Sequence, residues 1–190
     1  MNEKIKTCTE IVEAKYSELS KLEADGEIFY SPYIRKCFED SLIDVMNACC
    51  AIMNENEKKE FKEIINSEVI PMACPIKGEF YAYKKCFMMT RDENCIVKLR
   101  IPDDAERSSA LGNKCRCSKA EVVDIYNPCT GKHLKKARSE YIYINGLGAF
   151  VYEVGKMVAP TWPFEEDRWK ECASGIHFFM TEAEAMKYVF

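Results

Sequence analysis

Two histidines, His133 and His177, stand against eleven cysteines in this chain of 190 residues. A cysteine nucleophile needs a neighbouring base to form its thiolate. Two candidate bases for eleven thiols single out no pair, so no catalytic residue is assigned and the balance weighs against an enzyme. No apolar run approaches the ~18 residues of a transmembrane helix, which excludes a membrane span. The N-terminal stretch carries Glu3, Lys4, Lys6, Glu10 and Glu13 and lacks an apolar core of the signal-peptide kind, so export is not expected. Excess positive charge is also missing: the net charge is −4 and the pI about 5.4. With no general basic field, nucleic acid and anionic membranes are not expected partners. No Gly-x-Gly-x-x-Gly, Walker loop or Gly-x-Ser-x-Gly elbow occurs, which leaves the common nucleotide enzymes unsupported. The dipeptide Gly131-Lys132 is too short a signal to use.

What is present describes a folded chain. Apolar residues make up 47%, charged residues 31% and aromatics 12%, a globular mixture. The odd number of cysteines and the adjacent pair Cys49 and Cys50 fit free thiols in a reducing, cytoplasmic setting, where cysteine acts as a small buried hydrophobe. Cys115, Cys117, Cys129 and His133 are zinc-ligand types without a standard knuckle spacing, and no metal or other cofactor is expected.

The expected fold class is α+β, with a helical region over 1–70 and a β-rich domain over 76–190. Ile5, Cys8, Val12, Leu19 and Leu22 recur at helical spacing and Asp25-Gly26 closes the pattern. Ser31-Pro32 opens a second helix striped by Ile34, Cys37, Phe38, Leu42, Val45, Met46, Cys49 and Ile52. A third helix is expected from about Glu55 to Asn66. Two readings stay open for the helices: a homodimer through this N-terminal part, or an adaptor surface displaying Met46 and Met53. Pro71 and Pro75 then end the helical period.

Beyond them the period becomes two. Glu79 to Met88 and Cys95 to Ile101 predict a hairpin. Residues 103–113 read as a loop or short helical turn, and the basic stretch before Lys119 as a loop or bulged strand end. Ala120 to Tyr126 reads as a strand. Tyr141 to Asn145 and Ala149 to Val154 predict a second hairpin about Gly146-Leu147-Gly148. A strand over Ile176 to Met180 precedes a final helix, whose start is marked by Thr181 and Glu184 at capping-box spacing.

One local cluster has anion chemistry. Arg107, Ser108, Ser109, Lys114 and Arg116, followed by Ser118 and Lys119, surround Gly112, and guanidinium groups, hydroxyls and backbone amides together can wrap a phosphate. Tyr83, His177 and Tyr188 would add stacking surface if they face the same cleft. The competing reading is a solvated loop whose cations pair with Asp103, Asp104 and Glu106.

The segments FYAYKKC (80–86), IVKLRIPDDAERSSALGNKCRCSKAEVVDIY (96–126), FVYEVGKMV (150–158) and the terminal block with ECASGIHFF and EAEAMKY resemble an uncharacterised domain. That domain occurs in phage, bacterial and large-DNA-virus proteins, sometimes beside pentapeptide repeats, and the resemblance brings no established activity. A second likeness lies in Gly175-Ile176-His177-Phe178 followed by Tyr188, which is similar in spacing to the NAD-binding strand and helix of poly-ADP-ribose polymerases. That family also needs a downstream glutamate and an upstream histidine. Only Val189 and Phe190 follow Tyr188, and Tyr83-Lys84 stands where the histidine would be.

Three functions are therefore carried forward. The first is a binding module for a phosphorylated nucleotide or other anionic small molecule, in one version a viral protein that sequesters a host signalling nucleotide. The second is an ADP-ribosyltransferase-like enzyme using Tyr188 with Glu140 as its acid. The third is the helical adaptor.

Overall fold

The structure is a computed structural model that describes residues 2–24, 32–139, 149–170 and 172–188, with the side chains of 22–24 and 32–36 left aside. The chain divides into two compact units, Met1–Met72 and Ala73–Phe190, and it is α+β in class.

The first unit is helical. Helix α1 (Glu3–Ala24) buries Ile5, Cys8, Val12 and Leu19, the stripe that its sequence spacing implies. Helix α2 (Pro32–Ala51) buries Leu42, Met46 and Cys49, and the Cys49 thiol approaches the carbonyl of Cys8 at 4.0 Å. Helix α3 (Glu55–Ile64) opens on a capping box formed by Asn54 and Glu57. That box satisfies backbone donors which would otherwise be orphaned at the helix start. The helix then widens into a π-helical turn, Ile65–Val69, whose Ile65 and Val69 are buried. The expected adaptor surface does not form as drawn. Met46 and Met53 are only 5% and 6% exposed, so the flexible thioethers fill the interior instead of facing a partner.

The second unit is built from strands. The predicted hairpin forms from β1 (Phe80–Met88) and β2 (Asn94–Ile101), paired from Phe80↔Ile101 to Phe87↔Asn94. Strand β2 also pairs with β5 (Ala120–Tyr126), with a register shift between Lys98 and Leu99. One face of these strands is apolar and buried: Ala82, Cys86, Cys95, Val97, Leu99, Ile101, Val122 and Ile125. Among the described residues the sheet is completed by β6 (Lys136–Arg138), β7 (Val151–Glu153) and β8 (Met157–Val158), in the order β7-β6-β1-β2-β5-β8. The expected hairpin about Gly146 falls mostly on residues 140–148, outside the described residues. Its second strand survives as β7, which pairs with β6.

A smaller sheet corrects two sequence expectations. The stretch 103–113 contains strand β3 (Arg107–Ser109), and the basic stretch before Lys119 is strand β4 (Cys115–Cys117). Both join β9 (Ile176–Phe178) in the order β3-β4-β9. These strands are only three residues long, too short for alternation to announce them. The bridge Tyr83↔Phe179 ties the end of β9 to the edge of β1 opposite β2, the edge that β6 joins further along, with reciprocal N–H···O bonds of 2.8 Å. Helix α4 (Glu182–Lys187) follows, and Thr181 and Glu184 form the capping box that their spacing implies.

Candidate functional site

Strand register sorts the expected anion cluster into two groups. Opposed residues share a face of a sheet and successive residues alternate. Ser108, Arg116 and His177 are cross-strand partners on one face, while Arg107 and Ser109 face the other way beside Cys117 and Cys115. Lys114 lies two residues before Arg116 and shares its side. Its ammonium sits 5.5 Å from the centre of the Tyr188 ring and 3.4 Å from the Cys172 sulfur. Tyr188 stacks on Phe179 at 5.4 Å and accepts a hydrogen bond from Lys85 through its carbonyl. Phe179 is in turn the bridge partner of Tyr83. Lys114, Tyr188 and Phe179 therefore form one cluster of side chains, to which Tyr83 is tied through its backbone bridge.

The two arginines are held by the chain itself. Arg116 is 2% exposed. It donates to the carbonyls of Glu165, Asp167 and Ser174 and lies over the ring of Phe164. Desolvation pulls its pKa below the ordinary value, and the carboxylates of Glu165 and Asp167 oppose that pull. Gly175 packs against it so closely that an added Cβ would lie 3.0 Å from the Arg116 Cβ. Residues 162–170 and 172–175 thus wrap a buried cation. Arg168 reaches from the same segment to the carbonyls of Ser109 and Ala110 at 2.8 and 2.9 Å.

Arg107 likewise donates to the carbonyls of Pro75, Gly78 and Pro102 at 3.1, 2.7 and 2.6 Å and covers Phe80. Ser109 Oγ accepts from the amide of Ala73 at 2.9 Å. The Ser108 hydroxyl and the Arg107 Nε–H are buried with no hydrogen-bond partner. The pairing of the cluster's cations with nearby acids is seen at Lys119, which meets Asp104 at 2.6 Å.

A second cation-rich place was not expected from the sequence. The end of the β1–β2 hairpin and the segment that follows β5 enclose an open groove of about 550 Å³. Met88, Met89 and Leu134 give it apolar walls, and Arg91, Lys132, Lys135 and Lys136 face Glu93 as the sole carboxylate of its lining. Its geometry comes from Asn127, whose carboxamide oxygen accepts from the amides of Cys129 and Thr130 at 2.8 and 3.0 Å. The chain then turns at Gly131, with φ at +69° in the left-handed region that glycine tolerates. Thr130 Oγ1 accepts from the amide of Lys132. Glu93 pairs with Arg91, and Lys136 with Glu153, whereas Lys132 and Lys135 extend into solvent. The sequence did hold a signal here, in Gly131-Lys132 and Lys135-Lys136, but nothing local tied it to residues 88–93.

On the opposite side of the turn His133 Nδ1 meets Asp124 at 3.0 Å. Tyr126 Oη donates to Glu182 at 2.6 Å, and burial, with help from that carboxylate, pushes the phenol well above its ordinary pKa. Glu140, the acid of the transferase reading, lies outside the described residues. Among the described residues no group of three or more His, Cys, Asp or Glu is placed to hold a metal ion, and no helix is long and apolar enough to cross a membrane.

Fold and site together describe an α+β protein whose β unit joins two antiparallel sheets and carries a basic groove at one hairpin end. Residues 70–185 match the model of a family of unknown function, DUF5758. The chain belongs to that family. No curated protein and no solved structure matches it.

Proposed function

We propose that the β unit is a binding module for a small phosphorylated molecule of the nucleotide class, seated in the groove between residues 88–93 and 127–136. The observation that carries this reading is the lining: four cations and one carboxylate beside a Met and Leu wall, in a chain that is acidic overall. An apolar wall receives a base and an ammonium rim receives phosphates. A volume near 550 Å³ also falls in the ordinary range for small-molecule sites, roughly 300–1,000 Å³. The anion grip is accordingly assigned to Lys132 and Lys135 rather than to Arg107 and Arg116, which already serve backbone carbonyls. In the version suggested by the viral resemblance, such a module would act in the cytoplasm by sequestering a host signalling nucleotide.

Calorimetry of the full chain with ATP and with inorganic phosphate tests the reading. ATP is expected to bind, more weakly as salt rises, and the double variant Lys132→Glu, Lys135→Glu is expected to lose at least about tenfold in affinity, since one tenfold step is only about 1.4 kcal/mol. Absence of any heat with ATP and other nucleotides at low salt would overturn it. For the transferase reading, the ring of Tyr188 is already engaged with Phe179 and Lys114.

A further inference from the structure

Asn127 opens the turn that forms one wall of the groove. Its main-chain N–H donates to the carbonyl of Lys132 and its carbonyl accepts from the amide of Gly131, both at 2.9 Å. Its Oδ1 is taken by the amides of Cys129 and Thr130, which also fixes which end of the carboxamide is oxygen. What remains is the Nδ2 amino group, whose N–H donors have no hydrogen-bond partner among the described residues. The residue is only 7% exposed, and a side chain so buried ordinarily has its donors paired. Among the described residues the side-chain atoms sealed off without a partner belong to Arg107 and Ser108, so the Asn127 amino group is open to the groove that the residue lines. The rest of the turn has the same polarity. Thr130 Oγ1 accepts from the amide of Lys132 at 3.3 Å, which leaves its O–H to donate elsewhere. Lys132 and Lys135 are exposed, and neither has an ion-pair partner among the described residues. The carboxylate of the lining, Glu93, belongs to the facing hairpin end and is paired with Arg91. The turn therefore offers the groove donors alone.

We propose that the turn of residues 127–132 is a subsite for a terminal phosphate, with Asn127 Nδ2 as its neutral donor, so that the groove selects phosphate monoesters over cyclic phosphodiesters. The inference rests on the nucleotide reading above and names the group that the groove grips. A terminal phosphate carries about −1.5 to −2 charge at neutral pH and three acceptor oxygens. That is enough to engage an amide amino group, a hydroxyl and an ammonium together, with the charge strengthening each bond. A cyclic phosphodiester spreads a single charge over two free oxygens, and it leaves one of these donors without an acceptor. A polar group left unpaired in the site is what lets a protein reject such an analogue.

Calorimetry of the full chain at low salt with AMP and with 3′,5′-cyclic AMP keeps base and sugar constant while the phosphate changes. AMP is expected to bind at least about tenfold more tightly than cyclic AMP. Asn127→Ser keeps an oxygen that can accept from the amides of the turn and removes the amino group without adding charge. The variant is expected to lose about fivefold or more in affinity for AMP and to leave cyclic AMP binding unchanged. Equal affinity of the wild-type chain for the two ligands overturns the inference while the nucleotide reading stands, and that arm needs no variant to fold. Discrimination that survives intact in a folded Asn127→Ser chain overturns the role of Asn127. Binding of neither ligand, nor of ATP, overturns the nucleotide reading itself and this inference with it.

Discussion

Arg116 and Lys135 carry the same charge in the same unit, yet one is buried among the carbonyls of Glu165, Asp167 and Ser174 and the other stands at the rim of an open groove. Around Arg116 the acceptors are backbone carbonyls, fixed at the geometry of the fold, and the cation organises a loop that has little regular structure of its own. Around Lys135 the groove lining holds other cations and the single carboxylate of Glu93, which pairs with Arg91, and the Lys135 side chain stands exposed to solvent. A basic cluster in a sequence is therefore compatible with two opposite uses. What separates them is whether the chain supplies the acceptors.

The sharpest way to break this comparison is to truncate each side. Arg116→Ala strands the carbonyls of Glu165, Asp167 and Ser174 and leaves a void, and hydrogen bonds to a charged group contribute about 1.5–3 kcal/mol each. A loss of roughly 3–5 kcal/mol, as for other broken buried polar networks, is expected in urea unfolding of the full chain. Arg116→Lys should recover little, because one ammonium cannot span three carbonyls. A loss below about 1 kcal/mol would show that the strap does not need its cation.

The interior thiols provide a second contrast with the surface. Burial pushes Cys86 up to about 11 and Cys95 up to about 12, from about 8.5 in an unfolded chain. A folded-state pKa above the unfolded value means that this contribution is complete below about pH 8.5 and declines as pH rises toward the folded values. Unfolding free energy should therefore fall steadily from about pH 8.5 toward 11. Cys86→Ala with Cys95→Ala should lower stability at neutral pH yet flatten that alkaline slope. An unchanged slope would mean that other groups carry it.

Gly175→Ala is smaller. Its new Cβ would press on Arg116 at 3.0 Å, and overpacking of this kind costs about 1–3 kcal/mol, with the lower end expected because the rest of the arginine stem can shift. The smallest effect belongs to the groove: Lys132→Ala with Lys135→Ala should change unfolding free energy by no more than about 0.5 kcal/mol while still weakening ATP binding. A large stability loss there would make the lysines structural and erase the contrast.

Particular residues show why some of this was legible and some not. The stripe Ile5, Cys8, Val12, Leu19 and the box Thr181 with Glu184 read directly, because helical periodicity and capping are completed within a few residues. The hairpin of β1 and β2 reads for the same reason, its strands being separated by one short turn. Strands β3 and β4 did not read, since three residues hold too little alternation and the second partner of β4, β9, lies some sixty residues further on. Arg107, Ser108 and Ser109 looked like one group along the chain, whereas the pleat sends Ser108 to one face and its neighbours to the other.

From the amino acids alone came the α+β class, the break near Pro71 and Pro75, the main helices and the central hairpin, because each follows from hydrogen bonds and side-chain periods closed over a short span. Only the tertiary structure decided that Arg116 is enclosed and that residues 88–93 and 127–136 make a groove. Those outcomes depend on which distant strands pair and in what register, and a register is set by the burial of a whole face rather than by any local run of residues.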